Sequence, residues 1–240
     1  MASAQKTAKA KLTSKPQSSD ATTSDRIRRE LLSWFWVILA FFIIEAMVIQ
    51  ARVIPSASME NTILIGDHLI VSLLGYDIGI PFTEHHIALW RNPKRQQIIV
   101  FEAPPQAANE EDFIKRVIGM PGDTVEVKRG VVFIDGKQLN EPYLNPRPDP
   151  SAPQENAGPF HVPPHEYFVM GDNRDDSNDS RFWGYVPREN IIGTPLFIYM
   201  SVKAPEDVWE PGHVGERLGT YLSILIHPGE MRWRRLFRTF

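Results

Sequence analysis

A long apolar segment near the N-terminus limits what this chain can fold into. Residues 31–49 contain only two polar side chains, Ser33 and Glu45. As a helix, 19 residues extend about 28 Å at about 1.5 Å per residue, close to the roughly 30 Å hydrocarbon core of a bilayer. A buried helix would carry a polar face, and a cleaved leader would have a shorter apolar region. The segment predicts a retained transmembrane helix over residues 31–50.

Positive charge flanks only one side of this segment. Lysines and arginines are frequent in residues 1–30, whereas Arg52 is the only one in the twenty residues that follow the segment. Cytoplasmic flanks carry the excess of positive charge. We therefore predict a disordered cytoplasmic tail over residues 1–30, and an extracytoplasmic domain over residues 51–240 at the inner or plasma membrane.

Composition excludes several classes of function. The net charge of −3 gives no basic surface of the kind that binds nucleic acid. The absence of cysteine excludes disulfides, cysteine nucleophiles and thiolate metal sites.

Short apolar or alternating segments dominate residues 51–240 and predict a mainly β, antiparallel domain behind the single N-terminal transmembrane helix. Asp135-Gly136 is typical of a two-residue hairpin turn, in which both central residues need positive φ. Residues 140–165 hold many prolines and predict an irregular excursion. The candidate strands are residues 98–101, 124–128, 131–134, 166–170 and 196–200.

Two residues could form a nucleophile and its base. Ser58 follows Pro55, which restricts the backbone, and Lys115 lies among apolar residues. A serine hydroxyl needs a base to attack, and a lysine is a base only when neutral. About one lysine in a thousand is neutral near pH 7.4 at the ordinary pKa, but burial lowers that pKa. Taken singly, a serine is more often a turn residue and a lysine a surface charge.

A polar loop over residues 171–181 is the other concentration of functional groups. Its aspartates resemble a calcium loop in composition, but Arg174 and Ser177 break the ligand pattern. A solvated loop, or a structural network of Asp and Arg pairs, is the other interpretation. We expect no metal and no cofactor.

Three blocks, in this order behind the apolar segment, resemble the signal peptidase I family of membrane-bound serine endopeptidases. The blocks are Ile-Pro-Ser-Ala-Ser-Met (54–59), Lys-Arg-Val-Ile-Gly-Met-Pro-Gly-Asp (115–123) and Gly-Asp-Asn-Arg-Asp-x-Ser-x-Asp-Ser-Arg-x-Trp-Gly (171–184). The resemblance implies a mainly β catalytic core that cleaves signal peptides after small residues, of the Ala-x-Ala type. It implies preproteins and membrane lipid as partners, and a functional link to the protein export machinery.

The resemblance also assigns roles to residues. Ser58 matches the nucleophile and Lys115 the general base. Ser56 matches a hydroxyl that stabilises the oxyanion, and Ser177 one that orients the lysine amine. The remaining matches are a supporting charge pair, Asp179 and Arg181, and four apolar residues expected to line the substrate pocket, Ile54, Met59, Ile63 and Ile114.

Three positions depart from the family pattern. Asn61 stands where proline is expected, which could loosen the turn behind the nucleophile. Gln96-Gln97 replaces a Gly-Asp turn, and Asp176 replaces an asparagine. None of these changes removes a catalytic group.

The C-terminal segment, residues 231–240, is basic and amphipathic. Its apolar residues follow helical spacing, with arginines between them. An interfacial helix on lipid and a terminal helix packed on the domain are equally compatible with this pattern. The first would hold the active site near the bilayer.

Two other functions remain open from the sequence. A self-cleaving protease of the SOS-repressor type shares a Ser/Lys pair, but the apolar segment and the residues 171–184 block disfavour it. A catalytically dead, membrane-anchored binding module is disfavoured by the presence of Ser58, Lys115, Ser56 and Ser177.

Overall fold

The computed structural model describes residues 23–79, 86–104, 112–144, 155–209 and 212–240. The chain divides into two compact units, residues 1–41 and 42–240. What is described of the first unit belongs to helix α1, Thr23–Met47, and most of its large apolar side chains are exposed. Among the helices of the described residues, none is both long and apolar enough to cross a membrane.

The ends of α1 differ from the prediction. The helix begins at Thr23, inside the segment predicted as a disordered tail, because the arginines and the glutamate of residues 26–30 are good helix formers. Residues 1–22 of that tail lie outside the described residues. The helix ends at Met47, three residues before the predicted end, because Ile49 pairs with Ser72 in an antiparallel ladder.

The second unit is built mainly from antiparallel strands, which confirms the predicted fold class. A seven-stranded sheet has the order β1-β2-β13-β5-β6-β11-β12, a four-stranded sheet the order β10-β7-β8-β9, and β3 pairs with β4. The strands are β1 Ile49–Val53, β2 Asp67–Ser72, β3 Asp77–Gly79, β4 His86–Ala88, β5 Ile98–Glu102, β6 Asp112–Gly119, β7 Thr124–Lys128, β8 Val131–Ile134, β9 Lys137–Gln138, β10 Ala157–His161, β11 Glu166–Met170, β12 Val186–Pro187 and β13 Ile191–Ser201. Helices α2 Ser180–Trp183 and α3 Val214–Ile226 complete the unit.

The hairpin predicted from Asp135-Gly136 is present between β8 and β9. Asp135 has φ of 50° and Gly136 of 75°, as this kind of turn requires. The excursion predicted for residues 140–165 is only partly irregular. Strand β10 lies within it and pairs with β7, where Phe160 faces Val125, because burying Phe160 against the four-stranded sheet favours an extended chain. Residues 145–154 lie outside the described residues.

Strand β13 lies at the centre of the large sheet, between β2 and β5. Gly193 allows this close pairing, since a Cβ there would lie 2.3 Å from the Ser72 carbonyl oxygen. Strand β6 is enclosed between β5 and β11, so its inward side chains are shielded from water. One apolar cluster lies beneath the end of β1 and the start of β6; its members include Ile54, Met59, Ile63, Leu69, Val100 and Ile114.

Helix α3 was not predicted, although Val214, Leu218, Leu222 and Leu225 recur at helical spacing; in the structure these side chains are exposed. Residues 231–240 do not form the predicted regular helix either. They contain one short 3-10 turn, Trp233–Arg235, and bridges from Met231 to Val202 and from Thr239 to Phe197 attach them to the domain. Pairing with the sheet satisfies backbone groups that a helix would have satisfied internally.

A buried carboxylate holds this C-terminal segment in place. Asp67 has no exposed surface, and Arg235 Nε lies 3.0 Å from its Oδ1. Ser201 Oγ donates to the same oxygen at 2.6 Å, and the Leu64 N–H donates to Oδ2 at 2.8 Å. Because a buried carboxylate is costly without its counter-charge, the fold of residues 53–67 depends on the last ten residues.

We therefore expect Arg235→Met to destabilise the protein by about 3 kcal/mol, since it removes the cation that hydrogen-bonds the buried Asp67 carboxylate. Denaturant unfolding of the full chain in mild detergent measures this loss. Arg234→Met is the matched control, because Arg234 is exposed in the same turn, and it should change stability by less than about 0.5 kcal/mol. Equal effects of the two variants would contradict the role of the Asp67 pair.

Candidate active site

Ser58 lies in a short 3-10 turn, Ala57–Met59, that follows β1. The turn is held by the polar loop that follows β11: the Asn173 N–H donates to the Ser58 carbonyl oxygen at 3.0 Å. Asn173 Nδ2 also donates to the Ala57 carbonyl oxygen, at 3.2 Å. These two bonds fix the backbone of the turn, so that the Ser58 hydroxyl has a defined position.

Lys115 lies in the middle of β6, opposite Ile99 of β5, and is 4% exposed. Its Nζ lies 2.6 Å from Ser58 Oγ, within hydrogen-bond distance. Burial lowers the pKa of Lys115 from 10.5 to about 8, although the nearby Asp179 carboxylate opposes this effect. A neutral amine next to a serine hydroxyl can accept its proton.

Two further hydroxyls were expected at this site. Ser56 Oγ lies 3.5 Å from Ser58 Oγ, on the same side of the turn as the nucleophile. Ser177 Oγ donates to Asp179 Oδ2 at 2.9 Å, so its hydroxyl proton is directed to the carboxylate rather than to Lys115. Its oxygen therefore keeps lone pairs with which to accept a hydrogen bond.

Asp179 is the centre of the loop that carries Ser177. It is completely buried and accepts from Arg181 Nε at 2.8 Å and from the Gly171 N–H at 3.0 Å. Arg181 Nη2 also donates to the Arg174 carbonyl oxygen at 2.9 Å, and its Nη1 pairs with Glu155. Asp179 is therefore paired with a cation of its own loop, and Arg181 connects this loop to Glu155 outside it.

Gly171 lies where the loop that carries Ser177 packs against the turn that carries Ser58. A Cβ at this position would lie 2.4 Å from the Ser58 carbonyl oxygen and 2.3 Å from Ser177 Oγ. Both distances are far below van der Waals contact. Only glycine allows the loop to approach the nucleophile turn this closely.

A second buried network lies behind the nucleophile, and the sequence did not single it out. Arg116 donates to Asp172 with two nitrogens, at 2.8 Å from Nε and 2.6 Å from Nη2. Thr62 Oγ1 donates to the same carboxylate. The sequence contained one indication of this network. Side chains alternate between the two faces of a strand, so Arg116, which follows Lys115 directly, must point to the opposite face of β6.

Asn61, which replaces the expected proline, joins this network. Its Nδ2 donates to the Asp172 carbonyl oxygen at 2.9 Å. The asparagine therefore ties the turn behind the nucleophile to the polar loop by a hydrogen bond, where a proline would have restricted only the backbone.

A cleft of about 790 Å³ opens over Ser58 and Lys115. Of the four apolar residues expected to line a substrate pocket, Ile54 and Ile114 line this cleft, whereas Met59 and Ile63 are fully buried beneath it. The side chains that line the cleft also include Ser56, Pro55, Leu69, Val100, Phe113 and Trp209. The cleft therefore combines apolar residues with charged and polar ones, which include Arg52, Asp112, Asp176 and Arg217.

The chain is similar to known proteins over most of its length. The family model for signal peptidase, peptidase S26, matches residues 27–200. The probable signal peptidase I-2 of Synechocystis sp. is 42% identical over 169 residues, covering 69% of each chain. The signal peptidase I of Leptolyngbya laminosa is 40% identical over 70% of this chain and 77% of its own. That of Aquifex aeolicus is 34% identical over 86% of this chain and 97% of its own.

The residues that match the family model include the strands and the loops that build the site, from the turn that carries Ser58 to strand β13. These relatives also match over more than two thirds of their own lengths. The chain therefore belongs to the signal peptidase family, peptidase S26, and is a serine endopeptidase.

Proposed function

We propose that this protein removes N-terminal signal peptides from exported preproteins, with Ser58 as nucleophile and Lys115 as general base. The observation that carries the proposal is the 2.6 Å contact between Lys115 Nζ and Ser58 Oγ, made by a lysine that is 4% exposed. Family membership supports the substrate class, since the relatives are named as signal peptidases.

In the proposed reaction, the neutral Lys115 amine takes the Ser58 proton as the oxygen attacks the scissile carbonyl carbon. The resulting ammonium gives its proton to the leaving amine nitrogen as the peptide bond breaks. Lys115, neutral again, then deprotonates the water that hydrolyses the acyl-enzyme. One group serves as base and acid in turn, which requires a pKa near the working pH.

The Ser56 hydroxyl and the Ser58 backbone N–H are proposed to stabilise the oxyanion. The 3.5 Å distance between the Ser56 and Ser58 oxygens leaves room for Ser56 to turn towards the oxygen of a carbonyl whose carbon Ser58 has attacked. Donors aimed at developing charge contribute strongly to catalysis. Ser177 is proposed to orient the Lys115 amine by accepting a hydrogen bond, while Asp179 fixes the Ser177 hydroxyl.

Cleavage after small residues, of the Ala-x-Ala type, is the proposed specificity. Ile54 and Ile114 contribute aliphatic walls on either side of the dyad in the cleft. Met59 and Ile63 are fully buried beneath the cleft and support the residues that line it. Small apolar side chains match shallow walls of this kind, whereas large ones would have to displace a packed core.

Attachment to a membrane through residues 31–50 remains part of the proposal, with the N-terminus in the cytoplasm and the catalytic unit on the other side. The exposed apolar side chains of α1, such as Trp34 and Phe41, support it, as does the positive charge that precedes them. A preprotein emerging from the export machinery would meet the enzyme there.

We expect Ser58→Ala and Lys115→Met to reduce cleavage about a thousandfold or more, because each removes half of a unit that acts together. Lys115→Arg should lose as much, since arginine does not deprotonate in proteins. The assay is the full chain in detergent with a preprotein that carries an Ala-x-Ala site, and mass spectrometry locates the cut.

Lys128→Arg, at an exposed lysine, is the matched control and should cleave like the wild type. Circular dichroism of each variant verifies the fold. Turnover that survives in Lys115→Arg would exclude the dyad, and cleavage by the wild type at other positions would exclude the proposed specificity.

The pH profile tests the lysine as base. With a pKa of about 8, about one Lys115 in ten is neutral at pH 7 and most are neutral at pH 9. We expect kcat/KM to rise nearly tenfold per pH unit below about 8 and to level off above it. A wild-type profile that is flat from pH 6 to 9 would contradict this assignment.

Gly171→Ala tests whether the close approach of the loop matters. The added methyl group must displace either the Ser58 turn or Ser177, so we expect kcat to fall about a hundredfold, as for a misplaced catalytic group. Gly229→Ala is the control, since a Cβ there meets nothing within 4 Å. An unchanged kcat in Gly171→Ala would contradict the requirement that the loop with Ser177 lies this close to the Ser58 turn.

A further inference from the structure

We propose that Glu141 and Tyr143 are positioning residues for the dyad, which hold two buried arginines and, through them, the polar loop over residues 171–181. Both residues lie in a turn, residues 140–144, that follows β9 at the edge of the four-stranded sheet. We call this turn the strap. Lys115, in contrast, lies in the seven-stranded sheet. The inference rests on the proposed function, because it concerns the same two catalytic groups.

Tyr143 covers the guanidinium of Arg116. The Arg116 Cζ lies 3.8 Å from the centre of the Tyr143 ring, within the range of a cation–π contact. Arg116 is 8% exposed, and it also donates to Asp172 with two nitrogens. Because Arg116 directly follows Lys115 in β6, a guanidinium held between the ring and a buried carboxylate restrains the part of the strand that carries the general base.

Glu141 supplies the counter-charge of the second buried arginine, Arg174. The two side chains are 8% and 7% exposed, and Arg174 Nη1 donates to Glu141 Oε2 at 3.1 Å. Arg174 Nε donates to the Gly171 carbonyl oxygen at 3.1 Å, and Gly171 is the residue at which the loop approaches the Ser58 turn. A buried guanidinium that loses its carboxylate is costly. Glu141 therefore holds Arg174, and with it this part of the loop, in place.

The hydroxyl of Tyr143 connects the two arginine contacts. It donates to Glu141 Oε1 at 2.6 Å, the same oxygen that Arg174 Nη2 bonds. Burial and the Glu141 carboxylate raise the pKa of Tyr143 above its ordinary value, so the hydroxyl keeps its proton at any pH of the assay and remains a donor. The strap therefore binds both arginines as one hydrogen-bonded unit.

Gln96 anchors the start of the strap, which gives a structural role to one departure from the family pattern. Its φ is 65°, in the region that favours glycine, the residue that the family pattern places there. Its Nε2 donates to the Asn140 carbonyl oxygen at 2.6 Å, and its carbonyl oxygen accepts from Arg116 Nη1 at 2.7 Å. A glycine would adopt the same backbone more easily but could not bond Asn140. The glutamine therefore ties the strap to the turn before β5.

The strap lies outside the cleft. Glu141 and Tyr143 are not among the described residues that line it, whereas the walls formed by Ile54 and Ile114 do not involve the strap. A change in the strap should therefore displace the catalytic groups and leave the binding of the preprotein intact. In kinetic terms, kcat falls while KM is retained.

Cleavage kinetics of the full chain in detergent, with a preprotein that carries an Ala-x-Ala site, test the strap. Tyr143→Leu removes the ring from Arg116, and Glu141→Gln leaves Arg174 without its counter-charge. We expect each to lower kcat about tenfold or more while KM changes less than about twofold, as for a displaced catalytic group. Tyr143→Phe keeps the ring over Arg116 and should keep kcat within about threefold of the wild type.

Val127→Ala is the matched structural control. Val127 is buried in β7, in the apolar cluster of the four-stranded sheet, so the substitution lowers the unfolding midpoint but removes no contact of Arg116 or Arg174. It should leave kcat unchanged. Equal losses of kcat in Val127→Ala and Glu141→Gln would overturn the proposal, since the strap would then contribute stability alone. Losses confined to KM would overturn it as well.

Hydrogen exchange of the same variants separates this proposal from the proposed function. The Asn173 N–H bonds the Ser58 carbonyl oxygen, and the Gly171 N–H bonds Asp179. Their exchange therefore reports whether the loop is held against the nucleophile turn. Mass spectrometry of a peptide that contains residues 171–173 measures it without any substrate.

We expect this peptide to exchange about tenfold faster in Tyr143→Leu and Glu141→Gln than in the wild type, and at the wild-type rate in Val127→Ala. Unchanged exchange in both strap variants would overturn the proposal, whether or not the preprotein is cleaved. A wild type that does not cleave the preprotein would refute the proposed function instead, and the exchange rates would still decide whether the strap holds the loop.

Discussion

The short contact between a buried lysine and a serine is the interaction on which the functional part of this structure depends. A lysine in water would be an ammonium ion and could not serve as a base. Lys115, in strand β6, is only 4% exposed and is thereby removed from water, and it lines the cleft together with Ser58. Burial of this kind costs stability, so the surrounding elements must be held firmly enough to maintain it.

That support comes from the loop over residues 171–181. Within it, Asp179 pairs with Arg181, and its backbone bonds the turn that carries Ser58. On the other face of β6, Arg116 and Asp172 form a separate charged pair that binds the same loop from behind. The alternation of side chains along one strand therefore assigns adjacent residues to different tasks: Lys115 faces the cleft and Arg116 the supporting network.

Local patterns predicted the parts of the fold that local chemistry determines. The Asp135-Gly136 hairpin and strands β7 and β8 follow from positive φ and from alternation over a few residues, and the motif blocks identified the segments that form the site. Non-local pairing could not be predicted in the same way. The contact of Arg235 with Asp67 joins residues far apart in the chain. The spacing of the apolar residues of α3 is helical, but the sequence does not contain the information that they face outward. The direction of the Ser177 hydroxyl depends on Asp179, which only the folded loop positions.

The placement of Lys115 and Arg116 on opposite faces of β6 makes correct strand register a condition for activity. A slip of one residue in this strand would exchange the two faces and bring the guanidinium of Arg116 towards Ser58. That group stays protonated, so the serine would have no base. Misfolded molecules of this kind would be inert rather than unselective, so an error in folding would remove the proposed peptidase activity without creating an indiscriminate one.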